Sequence, residues 1–134
     1  MILLDTHVIR WLADGDPRLG PHALERLRSD GGLRASAISY WEFGMLSGKG
    51  KLVFSRPVRQ WLDTVLANGG IEAVAVTTAV AADAGTLPDL AHGDPADRIL
   101  IATARGLGCA LATADRRILD YGEAGHVLTI DARR

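Results

Sequence analysis

The sequence predicts an α/β domain in which helices cover both faces of a central, mostly parallel sheet of four to five strands. Three observations predict this fold class. Short apolar runs, such as residues 2–4 and 109–113, are typical of strands buried on both faces. Amphipathic stretches with apolar side chains three or four positions apart lie between those runs. The two kinds of segment alternate along the 134 residues, a length that suits a single domain, residues 1–134.

The first half of the chain is divided by glycine, proline and aspartate. A strand at 2–5 leads into a helix that the Asp-Gly-Asp-Pro sequence at 14–17 ends. Gly20-Pro21 opens a second helix, which a turn at 30–32 separates from a strand at 33–38. The pattern then predicts two consecutive helices, at 39–47 and 57–67.

The second half repeats the alternation. A strand at 71–76 precedes an alanine-rich helix that Thr77 and Thr78 cap. Pro95 begins an apolar helix that reaches Gly106. A strand at 109–113, a short helix at 115–121 and a final strand at 126–130 complete the predicted elements.

The composition indicates an ordinary globular domain. The apolar fraction is 48%, the charged fraction is 23% and the net charge is −1, all ordinary for a globular domain. The single cysteine, Cys109, excludes an intramolecular disulfide. Asp5 interrupts the first apolar run, and no uncharged stretch approaches the ~20 residues of a membrane span. We therefore expect a cytoplasmic protein without a membrane partner.

Four acidic residues are predicted to meet at one edge of the sheet. Asp5 ends the first strand, Glu42 lies in the first turn of the helix after the second, and Asp115 follows the fourth. Asp97 lies in the first turn of the helix that runs back before the fourth strand. Ligands of an open parallel sheet bind beyond the carboxyl ends of its strands, so these positions share one crevice.

Clustered carboxylates repel and raise one another's pKa, a penalty that a hard divalent cation removes. An oxygen-only set of ligands favours Mg²⁺ or Mn²⁺ over Zn²⁺. Such a site suits hydrolysis of a phosphodiester by a metal-activated water.

Each acid also has a structural interpretation. Ser39-x-x-Glu42 fits a capping box, and Asp115 fits the N-cap of the short helix that follows it. Acids in the first turn of a helix also interact favourably with the helix dipole. Capping does not account for Asp5, which ends a buried strand, nor for the convergence of all four acids.

Several motifs together resemble one family. They are Leu-Leu-Asp5-Thr-His, Ser-x-x-Glu42, His92-x-Asp94-Pro-x-Asp97-Arg followed by Ile101-Ala-Thr-Ala104, and Thr113-x-Asp115-Arg. In this order and at this length they resemble the PIN domains, and among these the VapC-type toxins of bacterial toxin–antitoxin pairs. The Asp-Pro-x-Asp-Arg stretch is the most specific part, and the resemblance covers nearly the whole chain.

The resemblance implies a PIN-like three-layer α/β/α fold and an Mg²⁺- or Mn²⁺-dependent ribonuclease that acts on RNA. It implies that a cognate VapB-type antitoxin neutralises the enzyme and that the chain forms a homodimer. The matching catalytic acids are Asp5, Glu42, Asp97 and Asp115. Of these, Asp5 and Asp97 are expected to bind the metal, with Glu42 and Asp115 binding it directly or through water.

Pro95 distinguishes the roles of the two neighbouring acids. Proline favours the first helical position, which makes Asp94 the N-cap and places Asp97 at the third helical position. We therefore expect Asp94 to cap the helix and Asp97 to be the metal ligand.

Other polar residues near the acids keep two interpretations each. Four basic residues between 49 and 59 suit either RNA phosphates or an ordinary solvated loop; they are Lys49, Lys51, Arg56 and Arg59. One of the arginines beside the acids, at 98, 116 and 117, would offset carboxylate charge or bind a phosphate, and at least one would only be solvated. His7 and His92 are either general bases or bystanders. Thr113 either holds a carboxylate or caps the next helix.

Three competing functions remain at this point. A PIN nuclease acting in RNA processing or on DNA would share the same acids. A phosphoacceptor domain would need adjacent acids early in the chain and a late lysine, but the lysines are Lys49 and Lys51. A catalytically silent binding module would have no need of the complete acid set.

Overall fold

The computed structural model describes residues 1–90 and 93–134. Its strands are β1 (Ile2–Leu4), β2 (Leu33–Ser36), β3 (Glu72–Val74), β4 (Ala110–Thr113) and β5 (Thr129–Asp131). Its helices are α1 (Thr6–Asp14), α2 (Pro21–Ser29), α3 (Ala37–Gly48), α4 (Val58–Gly69), α5 (Thr78–Gly85), α6 (Pro95–Leu107) and α7 (Arg116–Glu123). The predicted alternation of strands and helices is confirmed.

The five strands form one sheet in the order β3-β2-β1-β4-β5, and all four pairings are parallel. β1 is the central strand. Its last residue, Leu4, pairs with Ala35 of β2 and with Ala112 of β4. This register places the residue after β1 between the ends of both neighbouring strands. The predicted parallel sheet of four to five strands is therefore confirmed.

Hydrophobic side chains pack on both faces of the sheet. Successive side chains of a strand point to opposite faces, so Ile2 and Leu4 belong to one core and Leu3 to the other. The first core is completed mainly by α1, α2 and α4, and the second by α5, α6 and α7. Helices on both faces produce the expected three layers.

The start of α3 differs from the prediction. Ser36 is its N-cap and accepts a hydrogen bond from the Ile38 backbone N–H at 3.1 Å. β2 therefore ends at Ser36 rather than at Ile38, and the predicted capping box of Ser39 and Glu42 is wrong. Glu42 consequently lies in the second turn of the helix. The prediction failed because two serines three residues apart offer equally plausible caps, and the pairing of β2 selects the first.

The two outer strands are shorter than predicted. β3 covers Glu72–Val74 instead of 71–76, and β5 covers Thr129–Asp131 instead of 126–130. Each pairs with one neighbour only, which limits the length over which a ladder forms. In the described part of the chain, no helix is both long enough and apolar enough to cross a bilayer.

Aromatic packing fastens the segment before α4 to the core. Phe43 of α3 contacts the rings of Phe54 and Trp61 edge to face, with centroids 5.8 and 5.3 Å away. The Arg10 guanidinium lies 4.9 Å from the Phe54 centroid. Trp41, on the same helix as Phe43, remains 55% exposed.

Candidate active site

Asp5 lies buried at the end of the central strand. Its Oδ1 accepts the Thr6 backbone N–H at 2.7 Å, and its Oδ2 accepts the hydroxyl of Thr113 at 2.6 Å. Asp5 is also the N-cap of α1. The sequence-based argument that capping does not account for this residue is therefore wrong, since the chain turns directly from strand to helix at Asp5.

Glu42 reaches the same region from α3. The Thr6 hydroxyl donates a 2.5 Å hydrogen bond to Oε1 of Glu42 and lies 2.9 Å from the Ser39 hydroxyl. Thr6 and Ser39 are fully buried. The two hydroxyl groups therefore hold the end of the Glu42 side chain against the start of α1.

The remaining two acids, Asp97 and Asp115, lie at the starts of α6 and α7. Asp94 caps α6 by accepting the Asp97 backbone N–H at 3.1 Å, and Pro95 occupies the first turn, as predicted. Asp97 itself is 8% exposed. Asp115 caps α7 by accepting the Arg117 backbone N–H at 2.8 Å. The predicted cap at Asp94 is confirmed, and the capping interpretation of Asp115 is correct as well.

All four predicted acids line one open cleft of about 390 Å³ at the carboxyl edge of the sheet. The cleft is lined by Asp5, His7, Trp11, Arg18, Glu42, Asp94, Asp97, Ala114, Asp115, Arg117 and Arg133. The convergence predicted from the strand ends is therefore observed.

Burial and mutual repulsion perturb two of these carboxyls. Loss of solvation on burial, together with the nearby charge of Asp97, raises the pKa of Asp5 to about 6, although the hydrogen bond from Thr113 opposes the increase. Burial also raises the pKa of Glu42, with a contribution from Asp5 and an opposing one from the Thr6 hydroxyl. Perturbed carboxyls in an open cleft are typical of functional sites.

Comparison with known proteins shows which family the chain belongs to. The sequence model of the PIN domain matches residues 2–124. This chain belongs to the PIN-domain family. It is 36% identical over 120 residues to "Ribonuclease VapC22" from Mycobacterium tuberculosis, a match that covers 90% of this chain and 91% of that protein.

Solved structures share the fold of this PIN domain. A VapBC2 structure from Rickettsia felis, described as bound to a DNA fragment from their promoter, matches with a TM-score of 0.68 and 18% identity, over 97% of this chain and 98% of that one. A "toxin-antitoxin complex from Klebsiella pneumoniae" matches with a TM-score of 0.65 and 20% identity, over 97% and 96%. These structures establish the common architecture of the domain.

The donor chemistry of the cleft in this PIN domain fits a hard divalent cation. Its lining offers five carboxylates and no thiol, and each Asp5 oxygen accepts one hydrogen bond from the protein, leaving a further lone pair. Among the residues that the structure describes, no three Asp, Glu, His or Cys side chains already enclose a cation position. The site is thus a set of oxygen ligands in one cleft rather than a closed cage.

The three arginines beside the acids, at positions 98, 116 and 117, have different contacts in the structure. Arg98 donates to the backbone carbonyls of Ala84 and Leu90, so it fastens α6 to α5 and the segment after it. Arg116 binds Asp120 on its own helix, at 3.0 Å. Arg117 alone of the three lines the cleft of this PIN domain.

The remaining predicted residues differ in whether they line the cleft. The basic residues between 49 and 59 do not line it, and within that segment Arg59 pairs with Asp63 at 3.8 Å. His7 lines the cleft, whereas His92 lies outside the described residues.

Sequence reasoning missed four residues of this site. Thr6 and Ser39 were missed because their role depends on the contact between α1 and α3. Arg18 and Arg133 were missed because they lie in connecting segments that no motif marks. The signal available in advance was Thr6 itself, a hydroxyl directly after the acid that ends the first strand.

Proposed function

We propose that this PIN domain is an endoribonuclease toxin that hydrolyses RNA phosphodiester bonds with the help of Mg²⁺ or Mn²⁺ and is neutralised by a cognate antitoxin. The observation that carries the proposal is the Asp5 carboxylate, buried at the end of the central strand and coupled to the charge of Asp97 in an open cleft. Two carboxylates in such a position are costly unless a cation compensates them. A purely structural role for Asp5 needs only one cap and no second acid.

We assign direct binding of the cation to Asp5 and Asp97, while Glu42 and Asp115 bind it directly or through water. When bound, the cation supplies an activated water and neutralises charge that develops on the phosphate. Thr113 holds Oδ2 of Asp5, and Thr6 holds Oε1 of Glu42 while leaving Oε2 without that bond. These hydroxyls fix the two carboxylates before the cation arrives.

RNA is supported as the substrate by the relative that shares 36% identity, because that protein is named a ribonuclease. The cleft is open and lined mainly by polar side chains, which suits a flexible polyanionic strand better than a small apolar ligand. A cytoplasmic location is part of the same proposal, because the substrate would be met there.

A toxin role needs a partner that blocks the cleft. Structures of the same fold include toxin–antitoxin complexes, which supports a VapB-type antitoxin for this chain. A homodimer is supported by the exposure of Trp41 on α3, since aromatic side chains are enriched at interfaces.

The function is tested by incubating the purified protein with labelled single-stranded RNA and with DNA of the same sequence, over a titration of Mg²⁺ and Mn²⁺. We expect RNA cleavage that requires either cation and that chelation abolishes. Asp5→Asn should remove cleavage from a folded protein. Asp120→Asn is the matched control, because Asp120 is 63% exposed, pairs with Arg116 and does not line the cleft.

Full cleavage by folded Asp5→Asn would disprove the assignment of the metal site. Cleavage of DNA in preference to RNA would favour the alternative nuclease. No cleavage of either nucleic acid with any cation would leave a binding module as the better description.

The partners are tested by light scattering of the protein alone and after co-expression with the product of the adjacent reading frame. We expect a dimer in the first case and a larger complex without nuclease activity in the second. A strict monomer that binds no such product would contradict the proposed partners.

A further inference from the structure

Three arginines from separate parts of the chain line the same cleft as the acids. Arg18 lies between α1 and α2, Arg117 in the first turn of α7, and Arg133 after β5. Arg18 and Arg117 are 69% and 64% exposed. We call these three residues the arginine rim.

Arg18 is held in place by short-range contacts. Its Nη2 lies 2.7 Å from an Asp16 carboxylate oxygen, and its guanidinium lies 5.2 Å from the centroid of the Trp11 ring, which also lines the cleft. The hydrogen bonds from Arg18 lower the pKa of Asp16, so the pair stays charged. These bonds use Nε and Nη2 and leave Nη1 for another acceptor.

A backbone hydrogen bond joins the segment that carries Arg18 to the segment that carries Arg133. The N–H of Gly20 donates to the carbonyl of Ala132 at 2.9 Å, and the Arg133 N–H donates to Asp131 at 3.0 Å. Within the described part of the chain, the Arg133 guanidinium has no hydrogen bond or ion pair. Its donors are therefore available to a ligand in the cleft.

Two of the rim arginines have a neighbour in the sequence that points away from the cleft and pairs with acids that do not line it. Arg116, next to Arg117, pairs with Asp120 and Glu123, while Arg134, next to Arg133, pairs with Asp131 at 3.5 Å. Neither Arg116 nor Arg134 lines the cleft. Each pair of adjacent arginines thus contains one member in the cleft and one outside it.

The charge balance of the cleft indicates what the rim binds. Five carboxylates and three guanidiniums give its lining a formal charge of −2 with His7 neutral, and one bound divalent cation would bring it to zero. Arg117 pairs with Asp115 through Nε at 3.7 Å, and Arg18 pairs with Asp16. The other donors of these two guanidiniums, together with those of Arg133, remain for the phosphates next to the reacting one. Guanidinium groups bind phosphate oxygens through paired hydrogen bonds, which a cation-ligating carboxylate cannot do.

We propose that Arg18, Arg117 and Arg133 bind the phosphates on one side of the scissile bond, so that the RNA strand enters the cleft across α7 and the segment after β5. The inference rests on the proposed ribonuclease function. It assigns RNA positioning to the rim and not to the basic segment between residues 49 and 59, which does not line the cleft.

The test compares a rim double variant, Arg117→Gln with Arg133→Gln, against the neighbouring double variant, Arg116→Gln with Arg134→Gln. Both remove two positive charges from exposed positions in the same two segments. Binding of a fluorescent single-stranded RNA is measured by anisotropy in EDTA across a range of salt concentrations, and KM and kcat are measured in Mg²⁺.

We expect the rim variant to lose RNA affinity by about fivefold per arginine, the size expected for an exposed charge pair. Its slope of log affinity against log salt should decrease by about 0.7 for each phosphate that the variant no longer binds. KM should rise while kcat stays near the wild-type value, because the arginines bind the RNA equally before and during the reaction. The neighbouring variant should change each quantity much less.

Equal losses of RNA affinity in the two variants would disprove the role of the arginine rim without contradicting the proposed ribonuclease function. A wild-type protein that neither binds nor cleaves RNA would instead overturn the proposed function and the rim with it. An acidic polyglutamate peptide serves as the competitor: if it binds as tightly as RNA and loses affinity equally in the rim variant, the rim binds an acidic protein segment and the proposal is wrong.

Discussion

The Thr113 hydroxyl donates a 2.6 Å hydrogen bond to Oδ2 of Asp5, although 108 positions of sequence separate the two residues. The same oxygen of Thr113 accepts the backbone N–H of Asp115 at 3.0 Å. One buried hydroxyl therefore connects the first acid of the site to the fourth. The pairing of β1 with β4 brings them together, since Leu4 is in register with Ala112.

Thr113→Val should weaken both the fold and the binding of Mg²⁺. The substitution keeps the shape of the side chain but leaves an Asp5 oxygen without its donor and the Asp115 N–H without its acceptor. Loss of a partner for a buried polar group costs about 1–3 kcal/mol of unfolding free energy. Urea unfolding and calorimetric titration with Mg²⁺ measure the two effects. Thr113→Ser is the control and should retain both properties; an unchanged Thr113→Val protein would show that this hydroxyl is dispensable.

Asp5→Asn should make the metal-free protein more stable relative to wild type as the pH rises. Because the pKa of Asp5 is raised to about 6 in the fold from an ordinary 3.8, the folded state binds more protons than the unfolded state between those values. Stability of the wild type is therefore lost as pH rises through this window, by a total of about 3 kcal/mol. The neutral amide of the Asp5→Asn variant does not ionise, so its stability lacks this decrease.

Urea unfolding of both proteins in EDTA at about pH 4 and about pH 7.5, on either side of this window, measures the difference. Addition of Mg²⁺ at the higher pH should then raise the melting temperature of the wild type and leave Asp5→Asn unaffected. A stability difference that does not vary with pH would contradict the raised pKa.

The two acids of the α6 start should respond in opposite ways. Asp94→Ser should retain nearly all stability and most activity because serine is also a good N-cap, whereas loss of the cap in Asp94→Ala should cost about 1 kcal/mol. Asp97→Asn should keep the fold and lose metal affinity and cleavage together. Calorimetric metal affinities and cleavage rates of the three variants show which acid caps the helix and which binds the metal. Loss of metal binding in Asp94→Ser but not in Asp97→Asn would reverse the assignment.

Gly20→Ala should destabilise the protein through a backbone clash. A Cβ at this position would approach the Arg133 carbonyl oxygen to 2.5 Å and push away the segment after β5. We expect a loss of about 1–3 kcal/mol, typical of an overpacked site. Gly44→Ala is the control: it lies within α3 with no atom within 4 Å of the new methyl group, so it should gain about 0.5–1 kcal/mol. Thermal unfolding of both variants measures the two stability changes. Equal changes would show that a methyl group at Gly20 meets no clash.

The sequence alone indicates the alternating elements and all four candidate catalytic acids of the cleft. Hydrophobic periodicity and Gly, Pro and Asp breaks predict the alternating elements, because these signals act within a few residues. Asp5, Asp97 and Asp115 are found for the same reason, since each follows a strand or lies at the N-cap or in the first turn of a helix. The cap at Asp94 follows from the neighbouring Pro95.

Only the tertiary structure decides which distant side chains meet. Local pattern does not distinguish Ser36 from Ser39 as the cap of α3. The pairing of β2 with β3 extends to Ser36, opposite Val74, so α3 begins after Ser36 and Ser39 is left to contact Thr6. Nothing near Arg18 or Arg133 in the sequence marks them for the cleft. Their position follows from the hydrogen bond between Gly20 and Ala132, and such long-range contacts depend on strand order and packing, which no short window of sequence contains.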